Sequence, residues 1–458
     1  MGELVLIIMK FGGTSVQDAD AIEQVTSIVK SKLDRRPVVL VSAMARVTDT
    51  LVRCAELAHE GHETEASRLI DHDLRERHHE TINKLIHEDS RRQASQVVID
   101  KYLDEVKELL HGLALLGELT PRSLASVTSR GEYLSSMIVS GAMQERGLNA
   151  ELIDARQLII TDENYAKATP LMELSEARCK ALVNPLLDRG SVPVTQGFIG
   201  STSGGVTTTL GRGGSDYSAA ILGALLGAEV IEIWTDVDGV LTADPRIVPD
   251  ARVLDRVTFQ EASELAYFGA KVLHPSTILP AVRNNIPVHV YNTKRPESPG
   301  THIVSGDNSA SSNGVVRSIA SKKGITIINV YSTRMLLAHG FLKSIFEVFD
   351  EFETPVDIVS TSEVNVSLTI DNTSNLETIL SQLKKFSSVT FEQNKAIVCV
   401  IGEGMRDTSG IAARVFSSIR DINVKMISQG ASEINLSFLV NEADVPTAVR
   451  RLHSEFFG

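Results

Sequence analysis

The sequence predicts an α/β protein: a mostly parallel sheet sandwiched by helices, followed by two small α+β units. Three observations predict it. Short apolar runs alternate with amphipathic stretches through the first two thirds of the chain, the pattern of strands and covering helices. Two of those runs empty into glycine-rich turns that lead into helices, at Gly12-Gly13 and at Gly211 to Gly214. In the last third, Ser362-Glu363-Val364-Asn365-Val366-Ser367-Leu368 recurs as Ser432-Glu433-Ile434-Asn435-Leu436-Ser437-Phe438, an offset of 70 residues.

The bulk composition narrows the function. A chain of 458 residues suggests about three domains. A net charge of −13 argues against a nucleic-acid or anionic-membrane surface, so any basic groups that bind phosphate are concentrated locally. Cys54, Cys179 and Cys399 are scattered without metal or redox spacing, which fits a reducing, cytoplasmic setting and no disulfide framework. The apolar run Leu4 to Met9 is too short to span a bilayer and lacks a basic flank, so it reads as neither anchor nor signal peptide.

That first run is a buried strand leading into Lys10-Phe11-Gly12-Gly13-Thr14-Ser15-Val16 and a helix from Asp20 to Lys32. Pro37 to Ser42 is a second buried strand, ending in the small-residue turn Ala43 to Thr48 at the same edge. From Cys54 to Leu116 no strand signal appears. Val97, Val98, Tyr102, Val106, Leu109 and Leu110 recur at helical spacing, so residues about 54–118 read as a helical insertion standing off the sheet. Its histidines (His59, His62, His72, His78, His79, His87) match no zinc pattern and read as a solvated face.

Beyond Pro121 the alternation resumes. Ser129-Arg130-Gly131-Glu132 opens a helix running through Gln144, Ala150 to Ile153 is a strand, and Val192 to Gly200 is a strand that empties into a glycine turn. Thr207 to Asp216 is the second glycine-rich loop, followed by a helix from Tyr217 to Leu226. Val230 to Trp234 is a further strand, ending in Thr235-Asp236-Val237-Asp238-Gly239. Parallel sheets of this kind take ligands at the carboxyl ends of their strands, where both glycine loops fall. Residues 1–295 thus form the expected catalytic domain. Pro-, Ser-, Gly- and Asn-rich residues 296–314 form a linker, and 315–458 form the paired tail units. The second repeat ends at Gly458 without a closing strand, so Val315 to Lys322 is expected to supply it.

Glycine lets backbone approach a ligand closely, and a helix start offers free N–H groups to an anion. Lys10 and Arg212 add positive charge to the two loops. Together these make a phosphate site, and phosphoryl transfer needs little more than alignment and charge around the transferring group. Asp216, at a helix start, is suited to holding a cation or easing loss of an acceptor proton. Glu132 is either a plain helix-start carboxylate or part of the site. The chain lacks the P-loop spacing, the protein-kinase motifs and the G-x-G-x-x-G fingerprint.

Lys10-Phe-Gly-Gly-Thr-Ser-Val16, Ser129-Arg-Gly-Glu132, Gly211-Arg-Gly-Gly-Ser-Asp216, Trp234-Thr-Asp236 and Phe268-Gly-Ala-Lys-Val-Leu-His-Pro275 resemble the aspartate kinase family, in family order and over essentially the whole chain. The resemblance implies an amino-acid-kinase-type fold with two ACT units in the tail. The implied reaction moves the γ-phosphate of MgATP to the side-chain carboxylate of L-aspartate, the entry step to lysine, threonine and methionine. It implies Lys10 and Asp216 as catalytic residues. Thr48, Glu132, Phe198, Arg212, Gly213, Gly214 and Ser215 would line the aspartate site. Lys10, Gly12, Gly13, Thr14, Ser15, Thr235, Asp236, Leu241, Arg246, Lys271 and Val272 would bind the nucleotide, with Leu241 where many members carry Tyr. No protein metal cage is implied, Mg²⁺ arriving on ATP.

The helical insertion and the tail resemble the monofunctional, lysine-inhibited class. Its effector pocket would comprise Met335, Ala338, Phe341, Leu342, Pro355, Val356, Asp357, Ser362 and Glu363. That class makes lysine the first expected effector; Ala338 and His339 depart from the Ser and Arg that the lysine-responsive pattern usually shows, which leaves threonine as the second. A homodimer joined through the tail units, or a tetramer built from it, completes the expectation. Two alternatives stay open: a related kinase with glutamate or acetylglutamate as acceptor, and a non-catalytic amino-acid sensor.

Overall fold

The computed structural model describes residues 5–269, 273, 275–306, 315–332 and 339–458. They divide into two compact units that interleave along the chain. The first is Met1–Val240, Asp255–Phe259 and Val272–Gly306; the second is Leu241–Leu254, Gln260–Lys271 and Asp307–Gly458. Two stretches of the expected 1–295 domain therefore fold with the tail instead. The physical reason is burial: Ala243 and Val248 are interior to the core of the second repeat.

The first unit is built on strands β1 (Ile7–Phe11), β2 (Pro37–Val41), β3 (Ala150–Ile153), β4 (Ile160–Thr161), β5 (Val192–Gln196), β6 (Ile199–Thr202), β7 (Thr207–Thr209), β8 (Val230–Thr235), β9 (Arg256–Thr258), β10 (Val288–Asn292) and β11 (Thr301–Val304). Eight of them form one sheet in the order β3-β5-β2-β1-β8-β10-β11-β9, and β4, β6 and β7 form a small second sheet. All pairs of the large sheet are parallel except β10 with β11. β1, β2 and β5 are buried on both faces, which is why they read as continuous apolar runs without alternation.

Ahead of β8 the first unit's α-helices are α1 (Ala19–Lys30), α2 (Val47–His59), α3 (Glu63–Leu69), α4 (Glu76–Leu85), α5 (Asp89–Leu116), α6 (Pro121–Thr128), α7 (Arg130–Glu145), α8 (Ala155–Leu158), α9 (Met172–Asp188) and α10 (Gly214–Leu226). Asp18 caps α1 by accepting from the Ala21 N–H at 2.9 Å, which sets its buried stripe Ile22, Val25, Ile28 and Val29 against the sheet. Gly223 lets α10 lie close on β8, since a Cβ there would come within 2.7 Å of Ile231.

Three expectations need correction here. The insertion α2–α5 does not stand off the sheet: Ile99, Leu103, Val106, Leu110 and Leu113 of α5 share one core with Ile7, Met9 and Val39. Nor are all its histidines solvated. His78 is fully buried, with Nδ1 2.6 Å from the Leu74 carbonyl, and burial lowers its pKa to about 4. The stretch expected as linker also contains β11, an antiparallel partner of β10, and its Pro- and Ser-rich residues form the intervening hairpin loop.

The second unit takes in α11 (Phe259–Tyr267) from Gln260 onward, whereas α12 (Leu279–Arg283) belongs to the first. Its six strands are β12 (Ser318–Tyr331), β13 (Val359–Thr361), β14 (Asn365–Ile370), β15 (Ser388–Ile401), β16 (Met426–Gln429) and β17 (Asn435–Asn441), ordered β13-β14-β12-β15-β17-β16. Its further helices are α13 (Phe341–Glu351), α14 (Leu376–Leu383), α15 (Ile411–Ser418) and α16 (Val445–Phe457). The repeat survives in the backbone. Gly340 (φ 83°) and Gly410 (φ 86°) stand in the left-handed region before α13 and α15, at the offset read from sequence. Ser318 to Lys322 runs antiparallel to Ile397–Ile401, while Ile327 to Tyr331 pairs with both Ser388–Glu392 and β14. Each long strand thus serves both repeats. One core lies under α13 and α14, another under α15 and α16.

Candidate active site

Lys10 is the last residue but one of β1, held in the sheet's interior with only 8% exposure. The chain then turns through Gly12, whose N–H donates to the Trp234 carbonyl at 3.0 Å, into a short 3₁₀ turn, Gly13–Val16. Gly13 is required by space: a Cβ would come within 2.8 Å of the Ala43 carbonyl oxygen. Ser15 Oγ donates to that same Trp234 carbonyl at 3.2 Å and lies 2.6 Å from Thr293 Oγ1, which ties the turn to the ends of β8 and β10.

The second glycine loop arrives from the other side. Gly211 and Gly213 have φ of 77° and 70°, and Gly214 starts α10. A Cβ on Gly214 would come within 2.6 Å of the Phe198 ring, and Phe198 itself holds a left-handed φ of 67°. The loops meet at an ion pair: Lys10 Nζ lies 2.6 Å from Asp216 Oδ1.

A cleft of about 500 Å³ opens there. Lys10, Thr48, Glu132, Phe198, Arg212, Gly213, Gly214, Ser215 and Asp216, all singled out in the sequence, line it. Glu132 enters from α7. It is 4% exposed, accepts a long hydrogen bond from the Ala43 N–H at 3.4 Å, and has no partner for Oε2. Burial pushes its carboxyl up to about 8, so it is protonated and uncharged near neutral pH.

A second hollow, of about 330 Å³, is lined by Thr14, Ser15, Thr235 and Asp236 together with Asp18, Lys294 and neighbours. Leu241 and Arg246 belong to the second unit, where Arg246 is exposed and pairs with Asp244 at 2.7 Å. Lys271 and Val272 lie outside the described residues, as do Met335 and Ala338 of the predicted effector set. Of that set, Phe341 and Val356 pack against the core under α13, Asp357 is buried at its side chain, and Leu342, Pro355, Ser362 and Glu363 are exposed.

Sequence reading missed α6, whose Leu124, Ala125 and Thr128 line the cleft. Its signal was present: Thr120 caps the helix in a reciprocal arrangement with Ser123, and Pro121 stands at the first turn. Among the described residues no group of three or more His, Cys, Asp or Glu could hold a metal ion, and no helix is long and apolar enough to cross a membrane.

Two backbone cradles, a buried lysine between them and a carboxylate at a helix start define a small-molecule kinase of the amino acid kinase class. Residues 5–292 match the Amino acid kinase family and residues 398–456 an ACT domain. Aspartokinase 2, chloroplastic, of Arabidopsis thaliana is 37% identical over 472 residues, covering 100% of this chain and 85% of that protein. Lysine-sensitive aspartokinase 3 of Escherichia coli (strain K12) is 37% identical, covering 99% of each. The crystal structure of E. coli aspartokinase III with aspartate and ADP superposes with a TM-score of 0.84 at 35% identity, over 99% of this chain and 100% of that one. The same enzyme with lysine and aspartate gives 0.82 at 34%, with the same coverage. The chain belongs to the aspartokinase family. It is an enzyme that moves the γ-phosphate of ATP to the side-chain carboxylate of L-aspartate.

Proposed function

We propose that the cleft carries out this transfer with Lys10 and Asp216 at its centre, under feedback by lysine acting on the tail. The observation that carries the reading is the Lys10–Asp216 pair at the junction of the two glycine loops. The acceptor is a carboxylate of ordinary pKa near 4, already ionised at pH 7, so no proton has to leave it. What opposes reaction is repulsion between two anions. An aspartate oxygen forms a bond to the γ-phosphorus, the bond to the β–γ bridging oxygen breaks, and ADP departs with that electron pair. Lys10 and the loop N–H groups offset the charge on the equatorial oxygens.

Arg212 fits the substrate's α-carboxylate, which its fork can bind bidentately. Glu132 fits its ammonium, whose arrival would draw off the carboxyl proton. Thr14, Ser15, Thr235 and Asp236 share one hollow and fit the nucleotide. Leu241, Arg246, Lys271 and Val272 are carried by family resemblance alone. Mg²⁺ fits a site of this donor set, which offers one phosphate-side carboxylate, Asp216, in place of a cage; when bound it supplies charge neutralisation on the phosphates.

Regulation rests on similarity to a relative described as lysine-sensitive and to a structure holding lysine. Phe341, Leu342, Val356 and Asp357 are the described residues best suited to such an effector, with Met335, Ala338, Pro355, Ser362 and Glu363 carried over by resemblance and threonine as the second candidate. A homodimer through the tail units, or a tetramer built from it, and a cytoplasmic setting complete the proposal; the three cysteines are unpaired and buried, as a reducing compartment allows. The experiment is coupled ADP release across a panel of acidic amino acids. Turnover should require L-aspartate, and Lys10→Ala should lower kcat by at least about two orders of magnitude. Retained turnover in that variant removes Lys10 from the mechanism.

A further inference from the structure

In the second unit, a lysine ammonium and a tyrosine hydroxyl converge on one buried carboxylate. Asp357 keeps its side chain 2% exposed. Its Oδ1 accepts from Lys322 Nζ at 3.0 Å and also from the Tyr267 hydroxyl. Lys322 is shared with Asp371, 2.8 Å away, and its ammonium lies 4.6 Å from the centre of the Tyr267 ring. Asp357 Oδ2 is buried and has no hydrogen-bond partner.

The charges do not balance. Two carboxylates share one ammonium, and Glu264, whose field also reaches the Tyr267 hydroxyl, adds a third negative charge nearby. A buried carboxylate oxygen left unpaired is costly, and a close cation is what would relieve it. Among the described residues the carboxylates of this cluster outnumber its one ammonium, and the oxygen that could take a further cation is Asp357 Oδ2.

Tyr267 makes this more than a local defect. It is the last residue of α11, and the chain continues through Gly269, whose φ is 111° and whose Cβ would come within 2.6 Å of the Ser321 carbonyl oxygen. The end of α11 is therefore seated on β12 beside Lys322. In sequence, Lys271, assigned to the nucleotide, follows four residues after Tyr267.

We infer that Lys322 and Tyr267 are built-in competitors for Asp357, an internal ammonium and an internal hydroxyl that set how tightly the effector's ammonium binds there. This inference rests on the reading of lysine as the feedback effector. A ligand ammonium on Oδ2 shares its carboxylate with Lys322, so removing Lys322 concentrates the negative charge on the ligand. Removing the hydroxyl returns a second acceptor position to the ligand.

The test is calorimetric titration of the full-length enzyme with L-lysine, alongside aspartate-dependent ADP release. Wild type, Lys322→Gln, Lys322→Arg and Tyr267→Phe are compared. Lys322→Gln should lower the Kd for lysine by about tenfold and Tyr267→Phe by about threefold, the scale of losing a competing ammonium and a competing uncharged hydroxyl donor on one carboxylate. Lys322→Arg should stay near wild type, and all three should keep turnover without lysine within twofold. Tyr267→Phe deletes a single oxygen and so decides the question even if Lys322→Gln fails to fold. Lysine binding to wild type with unchanged or weaker binding in both deletion variants overturns the inference and leaves the feedback reading standing. No lysine binding in any of the four proteins, with turnover intact, overturns the feedback reading and the inference with it.

Discussion

At the residue scale, Glu132 shows how a site can hold a charge it does not yet need. Its carboxyl is buried against Ala43 with one oxygen unpaired, and burial pushes its pKa to about 8. Near pH 7 burial keeps it neutral, and an incoming ammonium must favour the ionised form. The KM for aspartate should therefore fall as pH rises from 7 toward 9, while the KM for ATP stays flat. Glu132→Gln should raise the aspartate KM by about tenfold or more, flatten that pH dependence and leave thermal stability unchanged or higher, since the buried ionisable group is gone. An aspartate KM that keeps its pH profile in Glu132→Gln rules the assignment out. Lys10 differs in kind, because it already has a partner: Asp216 at 2.6 Å. Nothing in the motif Lys10-Phe-Gly-Gly announces that partner, which lies across the sheet in another glycine loop.

Elements explain why the loops hold their shape. Gly214 sits where a Cβ would strike the Phe198 ring at 2.6 Å, and Phe198 is already in the left-handed region. Gly214→Ala should lower kcat/KM for aspartate at least about tenfold, with a folded protein by circular dichroism, because a displacement of about 1 Å in a positioned group costs that much or more. Strands β10 and β11 carry a second element-scale feature. The His289 and His302 rings stack at 3.9 Å, with the Tyr291 hydroxyl 3.1 Å from His289 Nδ1. Burial first, and then the neighbouring His302, lowers the His289 pKa to about 4, and burial lowers His302 as well. The unfolded chain binds protons at its ordinary histidine pKa of about 6.5, so the unfolded state gains protons that the folded state refuses. Stability should be full above about pH 6.5 and fall as pH drops toward 4. Urea midpoints measured from pH 7.5 to 5 should show the decline, and His289→Phe should flatten part of it.

On the scale of the whole molecule, the two repeats are one sheet, because β12 and β15 each run through both. A break in β15 should therefore unfold the second unit as a whole. Val398 pairs with Ser321 on one side and Phe438 on the other, and Val398→Pro removes a ladder hydrogen bond from a central strand, where proline is not tolerated. The lone tryptophan, Trp234, is in the first unit, so its fluorescence follows that unit while circular dichroism follows both. In this variant the circular dichroism transition should move to lower urea ahead of the fluorescence transition; coincident, unshifted curves would show the sheet is not cooperative. Much of this was written in the chain. Uninterrupted apolar runs specify strands buried on both faces, glycines specify the two turns, and a fixed offset of 70 residues between Ser362 and Ser432 specifies the repeat. These are local signals, carried by each residue's own backbone freedom and polarity. What only the tertiary structure decided depends on partners distant in sequence: the folding of 241–254 and 260–271 with the tail, the return of Thr301–Val304 to the sheet, the burial of His78, and the meeting of Lys322 and Tyr267 on Asp357. Burial and charge pairing are properties of a place, and a chain acquires places only when it folds.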